Sequence, residues 1–109
     1  MSDSTYVLLK SVIATGAGPT LANPVHSSPN AAKTFQANGT VSTSTGSATI
    51  YVQVSNNNSD WITLGTITLT LGTSSTSDGF ASLAPWAYIR GNVNAISGTN
   101  ATVTLTMAI

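Results

Sequence analysis

Ala48-Thr49-Ile50-Tyr51-Val52-Gln53-Val54-Ser55 alternates with a period of two, so Ala48, Ile50, Val52 and Val54 fall on one side of an extended chain. Thr49, Tyr51, Gln53 and Ser55 fall on the other. A segment of this kind is a strand with one dry face and one wet face. The same grammar recurs at the end of the chain, where Val103, Leu105, Met107 and Ile109 alternate with Thr102, Thr104 and Thr106. It recurs again where Ile67, Leu69 and Leu71 alternate with Thr66, Thr68 and Thr70. β-branched Thr suits the outer side of a pleated sheet, because its branched carbon packs while its hydroxyl meets water.

Weaker strand patterns cover Thr5 to Ile13, Lys33 to Thr43, Asp60 to Leu64, Thr76 to Leu83 and Trp86 to Ile96, for about eight strands in all. Glu is absent and no window of useful length shows a period of 3.6, so helix is not expected anywhere. Turn residues mark the joints at Thr45-Gly46, Asn56-Asn57-Asn58, Leu71-Gly72, Asp78-Gly79 and Ser97-Gly98-Thr99-Asn100, and hairpins are expected there. Gly16 to Ala32 holds Pro19, Pro24 and Pro29 and is read as an ordered loop or edge strand. The fold class that follows is all-β: one antiparallel β-sandwich domain over residues 1–109, with a jelly roll preferred and an immunoglobulin-like sandwich as the alternative.

Hydrophobic residues make up 41% of the 109 residues and charged residues only 6%, a balance that disfavours intrinsic disorder and leaves Ser, Thr, Asn and Gly to solvate the surface. Lys10, Lys33 and Arg90 balance Asp3, Asp60 and Asp78, with no run of either sign. Nucleic-acid binding needs clustered Lys and Arg, so it is not expected. A neutral, hydroxyl-rich surface is suited instead to lying against another protein. Met1 to Tyr6 is polar, and the apolar stretch from Tyr6 to Leu9 stops at Lys10, so neither a secretory signal nor a membrane association is expected. The absence of Cys excludes a disulfide framework and thiolate metal sites.

Equipment for catalysis is thin. The titratable groups in the useful range are His26, Asp3, Asp60 and Asp78, and no Gly-x-Ser-x-Gly elbow accompanies them. The expectation is therefore not an enzyme, with no cofactor and no metal. Asn56-Asn57-Asn58-Ser59-Asp60 offers a single carboxylate to a cation and reads better as a hairpin tip, since Asn tolerates positive φ and bonds its own backbone. Trp61 and Trp86 stand at strand starts, where a large ring closes the end of a sandwich. Tyr51 lies on the polar side of its strand, and Arg90 shares a face with Tyr88. Arg90 has two readings: a subunit contact through Asp60 or Asp78 across an interface, or an intramolecular salt bridge. The candidate interface or ligand contacts are thus Tyr51, Tyr88, Arg90, Asn57 and Asp60.

The run from Ala48 to Ser55, the Asn tip with Asp60-Trp61-Ile62-Thr63-Leu64-Gly65, and Thr66 to Thr70 resemble small virion proteins of tailed bacteriophages. So do Ser77-Asp78-Gly79-Phe80, Pro85 to Val93 and Ile96 to Val103, and together these segments span roughly Ala48 to Ile109. The resemblance is to the capsid cement or decoration type. It implies a β-sandwich made in the bacterial host cytoplasm that coats the outer capsid surface of the virion, as a dimer or trimer bridging and stabilising copies of the major capsid protein. Relatives of that type often carry more charge before the Trp, whereas here Asp60 stands alone beside Asn56 to Asn58, so tip contacts do not carry over. A carbohydrate- or receptor-binding module of a tail fibre or adhesin, stacking sugars on Tyr51, Tyr88 and one Trp, is the competing expectation.

Overall fold

The period-two segments become strands in the computed structural model, which describes residues 5–24, 32–43 and 45–109. His26 and Pro29 lie outside the described residues. The strands are β1 Thr5–Val12, β2 Gly16–Ala17, β3 Leu21–Ala22, β4 Lys33–Thr40, β5 Gly46–Ser55, β6 Ile62–Leu71, β7 Thr76–Ser82, β8 Tyr88–Ser97 and β9 Thr102–Ala108. The described residues contain no helix. Ala48, Ile50, Val52 and Val54 of β5 are buried, as are Val103, Leu105 and Met107 of β9 and Ile67, Leu69 and Leu71 of β6. Full burial of one Val, Leu or Ile side chain stabilises by about 1.5–3 kcal/mol, which is why the alternation decides the pairing of faces.

One sheet runs β1-β9-β4-β7, and the other runs β2-β8-β5-β6 with β3 also paired to β8. All pairings are antiparallel. With β2 and β3 counted as one interrupted edge strand, the order is first-eighth-third-sixth in one sheet and second-seventh-fourth-fifth in the other. That is the jelly roll, the preferred form of the expected β-sandwich. It also corrects the expectation of hairpins at most joints. With β2 and β3 taken as one strand, only β5 and β6 are consecutive neighbours in a sheet, and every other consecutive pair of strands is divided between the two layers. The crossing at Gly98 and Asn100 uses positive φ values of 118° and 54° and is tied to the β4–β5 crossing through Ser42, whose N–H donates to the Thr99 carbonyl at 2.9 Å.

Two further expectations are corrected. Asp60 to Leu64 and Thr66 to Leu71 are not separate strands. They form the single strand β6, which carries a bulge where Val52 pairs with Gly65 but Gln53 pairs with Thr63. Asp78-Gly79 is not a turn: both residues sit inside β7, opposite Ala37 and Gln36. Gly79 is there because β4 approaches too closely for a side chain, and a Cβ would run into the Phe35 carbonyl oxygen.

Edge strand β1 departs most from regular pairing. An extra residue between Val7 and Leu9, relative to Thr106 and Leu105, turns both Leu8 and Leu9 into the core. A second irregularity lies between Leu9 and Val12, where Ser11 takes φ 49° and its N–H donates to Thr104 Oγ1 at 3.1 Å. At the opposite side of the sandwich, Phe80 of β7 stacks on Phe35, with centroids 5.1 Å apart and planes tilted by 31°. A Cβ on Gly65 of β6 would come within 2.8 Å of three Phe80 ring carbons. The two layers therefore lock where a ring of one sheet fills a notch in the other.

Lys33 opens β4 on the inward-facing parity of Phe35 and Ala37, and it is only 1% exposed. Burial removes water from its ammonium and pulls its pKa below the ordinary 10.5. Between that lowered value and 10.5 the unfolded chain holds a proton that the folded chain has released, so stability rises with pH across this window. Below the window both states are protonated and the slope vanishes.

Two outcomes follow. Gly65→Ala is expected to cost about 1–3 kcal/mol in urea unfolding through overpacking against Phe80. Adding Phe80→Leu should recover part of that loss, and additive losses would contradict the interlock. The unfolding free energy of the native chain should climb as pH approaches 10.5, while that of Lys33→Met should climb less.

Candidate functional site

Side-chain parity carries the polar members of β8, β5 and β6 to the outer face of their sheet. Register then sets them in rows: Tyr88 opposite Ser55, Arg90 opposite Gln53 opposite Thr63, and Asn92 opposite Tyr51 opposite Thr66. Farther along, Ser97, Ser47 and Thr70 form a row of hydroxyls, with Ser47 and Ser97 oxygens 3.1 Å apart. The face is thus an uncharged lawn of short side chains that rises to aromatic and long polar groups at one end.

At that end, Gln53 Oε1 accepts from Arg90 Nε at 2.9 Å and from Asn92 Nδ2 at 3.3 Å. The Arg90 guanidinium carbon lies 4.2 Å from the centroid of the Trp61 ring. A cation over an indole face is attracted by the ring quadrupole, by about 0.5–1 kcal/mol at exposed sites and more where water is excluded. Hydrogen bond and stacking together give the guanidinium one orientation. Arg90 makes no salt bridge among the described residues, so the expected intramolecular ion pair is replaced by Gln53 and Trp61.

The Asn tip behaves as its sequence suggests. Asn58 has φ 58°. Asn57 Oδ1 accepts from the N–H groups of Ser59 at 3.0 Å and Asp60 at 2.8 Å and from the Ser55 hydroxyl at 2.9 Å, while Asn57 Nδ2 donates to Asp60 Oδ2 at 2.9 Å. Ser55 Oγ in turn accepts from the N–H groups of Asn57 and Asn58. Asn56 Oδ1 accepts from the Ala87 N–H at 3.2 Å, which holds the tip against the entry to β8.

Tyr51, Tyr88 and Arg90 are therefore brought onto one face, and Asn57 and Asp60 onto the rim beside it. The two Trp residues part company. Trp86 packs against the core as expected of an end-closing ring, but Trp61 lies under Arg90 on the outer side. Sequence reasoning missed Gln53 and Asn92, although parity with Tyr51 and with Tyr88 was enough to find them. Among the described residues no three His, Cys, Asp or Glu side chains come together. A separate groove of about 540 Å³ lies along the β1–β2 connection between Val7 and Pro19, remote in sequence from the candidate residues.

No protein-family model matches the chain, and no curated protein matches it. Among solved structures it is similar to the crystal structure of the PBSX exported protein XepA, with a TM-score of 0.55 and 14% sequence identity. That match covers 96% of this chain and 36% of XepA, so the chain spans little more than a third of the length of that neighbour. The likeness is one of fold: nearly all of this chain follows the course of part of a larger protein.

Asn57→Ala removes the acceptor for two backbone N–H groups and the donor to Asp60, and should cost about 1–2 kcal/mol in urea unfolding. Amide exchange at Ser59 and Asp60 should accelerate most. Unchanged protection there would contradict the role given to this side chain.

Proposed function

We propose that the chain is a non-enzymatic structural protein of a bacteriophage virion, most specifically a capsid cement protein that lies on the outer capsid surface and bridges major capsid subunits. The observation that carries this reading is the outer face of β8-β5-β6, almost free of charge and concentrated at one end into Tyr51, Tyr88, Trp61 and Arg90. Interfaces between proteins draw their binding energy from a few Trp, Tyr and Arg side chains ringed by near-neutral polar contacts, and this face has that composition. The reading is compatible with the fold shared with part of the PBSX exported protein XepA. Many copies each joining neighbouring subunits raise shell stability without strong individual contacts.

A sugar-binding module of a fibre or adhesin is less well supported. Stacking on sugars calls for a row of open ring faces, and here Arg90 covers one face of Trp61 while Tyr51 and Tyr88 are half-buried.

Electron microscopy of particles assembled with and without the protein, combined with a heat or osmotic challenge, tests the proposal. Particles carrying it should show density on the outer shell and should release DNA at a higher temperature or after a stronger osmotic shock. Equal robustness, or density confined to tails or fibres, would overturn the cement reading.

A further inference from the structure

The outer face contains an electrostatic element that the chain does not complete. Arg90 is the single guanidinium of the protein. Its Nε is committed to Gln53 and its guanidinium carbon sits 4.2 Å from the Trp61 ring centroid, so the two Nη groups are held in place rather than swept through solvent. Neither Nη has a hydrogen-bond partner among the described residues. The two acids described are engaged elsewhere: Asp60 accepts from Asn57, and Asp78 Oδ1 accepts from the Gly79 N–H. Its neighbours on this face, Asn92 on the same strand, Tyr51 diagonal to it on β5 and Thr63 beyond Gln53, bring no carboxylate.

We infer that Arg90 is the anchor of the docking surface and that its occupant is an Asp or Glu carboxylate of the partner protein, the shell subunit. This rests on the reading of the outer face as the capsid-facing surface and adds the chemistry of the contact. Charge complementarity argues for it. A cation set in an otherwise uncharged face loses water when the face is covered, and that loss is offset only if the covering surface brings an anion. A carboxylate meets two fixed Nη donors with matching planar geometry, which a hydroxyl or an amide does not. The area is sufficient, since the molecule measures 44 × 32 × 17 Å and its broad side exceeds the about 800 Å² per partner that a stable protein contact buries.

The test adds purified full-length chain back to shells of its own particle prepared without it, and measures occupancy against concentration. Arg90→Gln should weaken binding about thirtyfold, and Arg90→Lys, which keeps the charge but not the planar fork, should fall between. The native chain should also lose affinity with added salt more steeply than Arg90→Gln. Near-native thermal unfolding of both variants would exclude misfolding as the cause, and if Arg90→Gln unfolds early, Arg90→Lys carries the comparison. Equal binding by native and variant chains overturns the inference while leaving the cement reading intact. Absence of native binding overturns both. A change in the sedimentation of the free chain on Arg90→Gln would identify the occupant as a second copy of the chain and overturn the assignment to the shell.

Discussion

Everything in this molecule depends on keeping water out of the space between two sheets. With three basic and three acidic residues in the whole chain, no network of ion pairs is available to stiffen it, and with no Cys there is no covalent brace. What remains is apolar packing across the layers: Ile50, Val52 and Val54 of the middle strand β5 on one side, Val103, Leu105 and Met107 of β9 on the other. Each of these two strands is flanked by neighbours on both edges. The outer faces are then free to be chemically plain.

How much of this was legible in the sequence follows from which signals are local. Alternation is local, so β5, β9 and the second half of β6 could be read directly from Ala48 to Val54, Val103 to Met107 and Ile67 to Leu71. The same parity placed Tyr51, Tyr88 and Arg90 on outer faces. Strand order is not local. It is set by which edges find each other after the chain has crossed between layers, and turn residues such as Leu71-Gly72 look alike whether the chain reverses within a sheet or leaves it. Asp78-Gly79 misled for a related reason: a glycine that makes room for a neighbouring backbone is written with the same letter as one that makes a turn.

The site was partly legible on the same terms. That Arg90 and Gln53 share a face is a matter of counting by twos, but that they are opposite each other depends on register with β8, which no local pattern encodes. Trp61 precedes the regular part of β6, so parity does not reach it, and its position under the guanidinium emerges only once the β5–β6 hairpin is closed by Asn57 and Ser55. Lys33 shows the converse. Its place beside Phe35 and Ala37 in the alternation marks it as inward-facing, yet a cation at such a position contradicts the expectation drawn from charge alone.

The irregularities of β1 bear on how this edge of the sandwich is closed to further strands. Proteins commonly keep their sheet borders from adhering to one another by planting lysines along them, a device that this ion-poor chain uses once on β1, at Lys10. Here the outermost strand of one layer is twice thrown out of step, between Val7 and Leu9 and again before Val12, and the matching border of the other layer is broken into the fragments β2 and β3. An incoming ribbon finds no straight ladder of donors and acceptors to continue. On this side of the sandwich, backbone shape works beside the exposed Lys10 of β1 against ladder-like pairing with a second sheet.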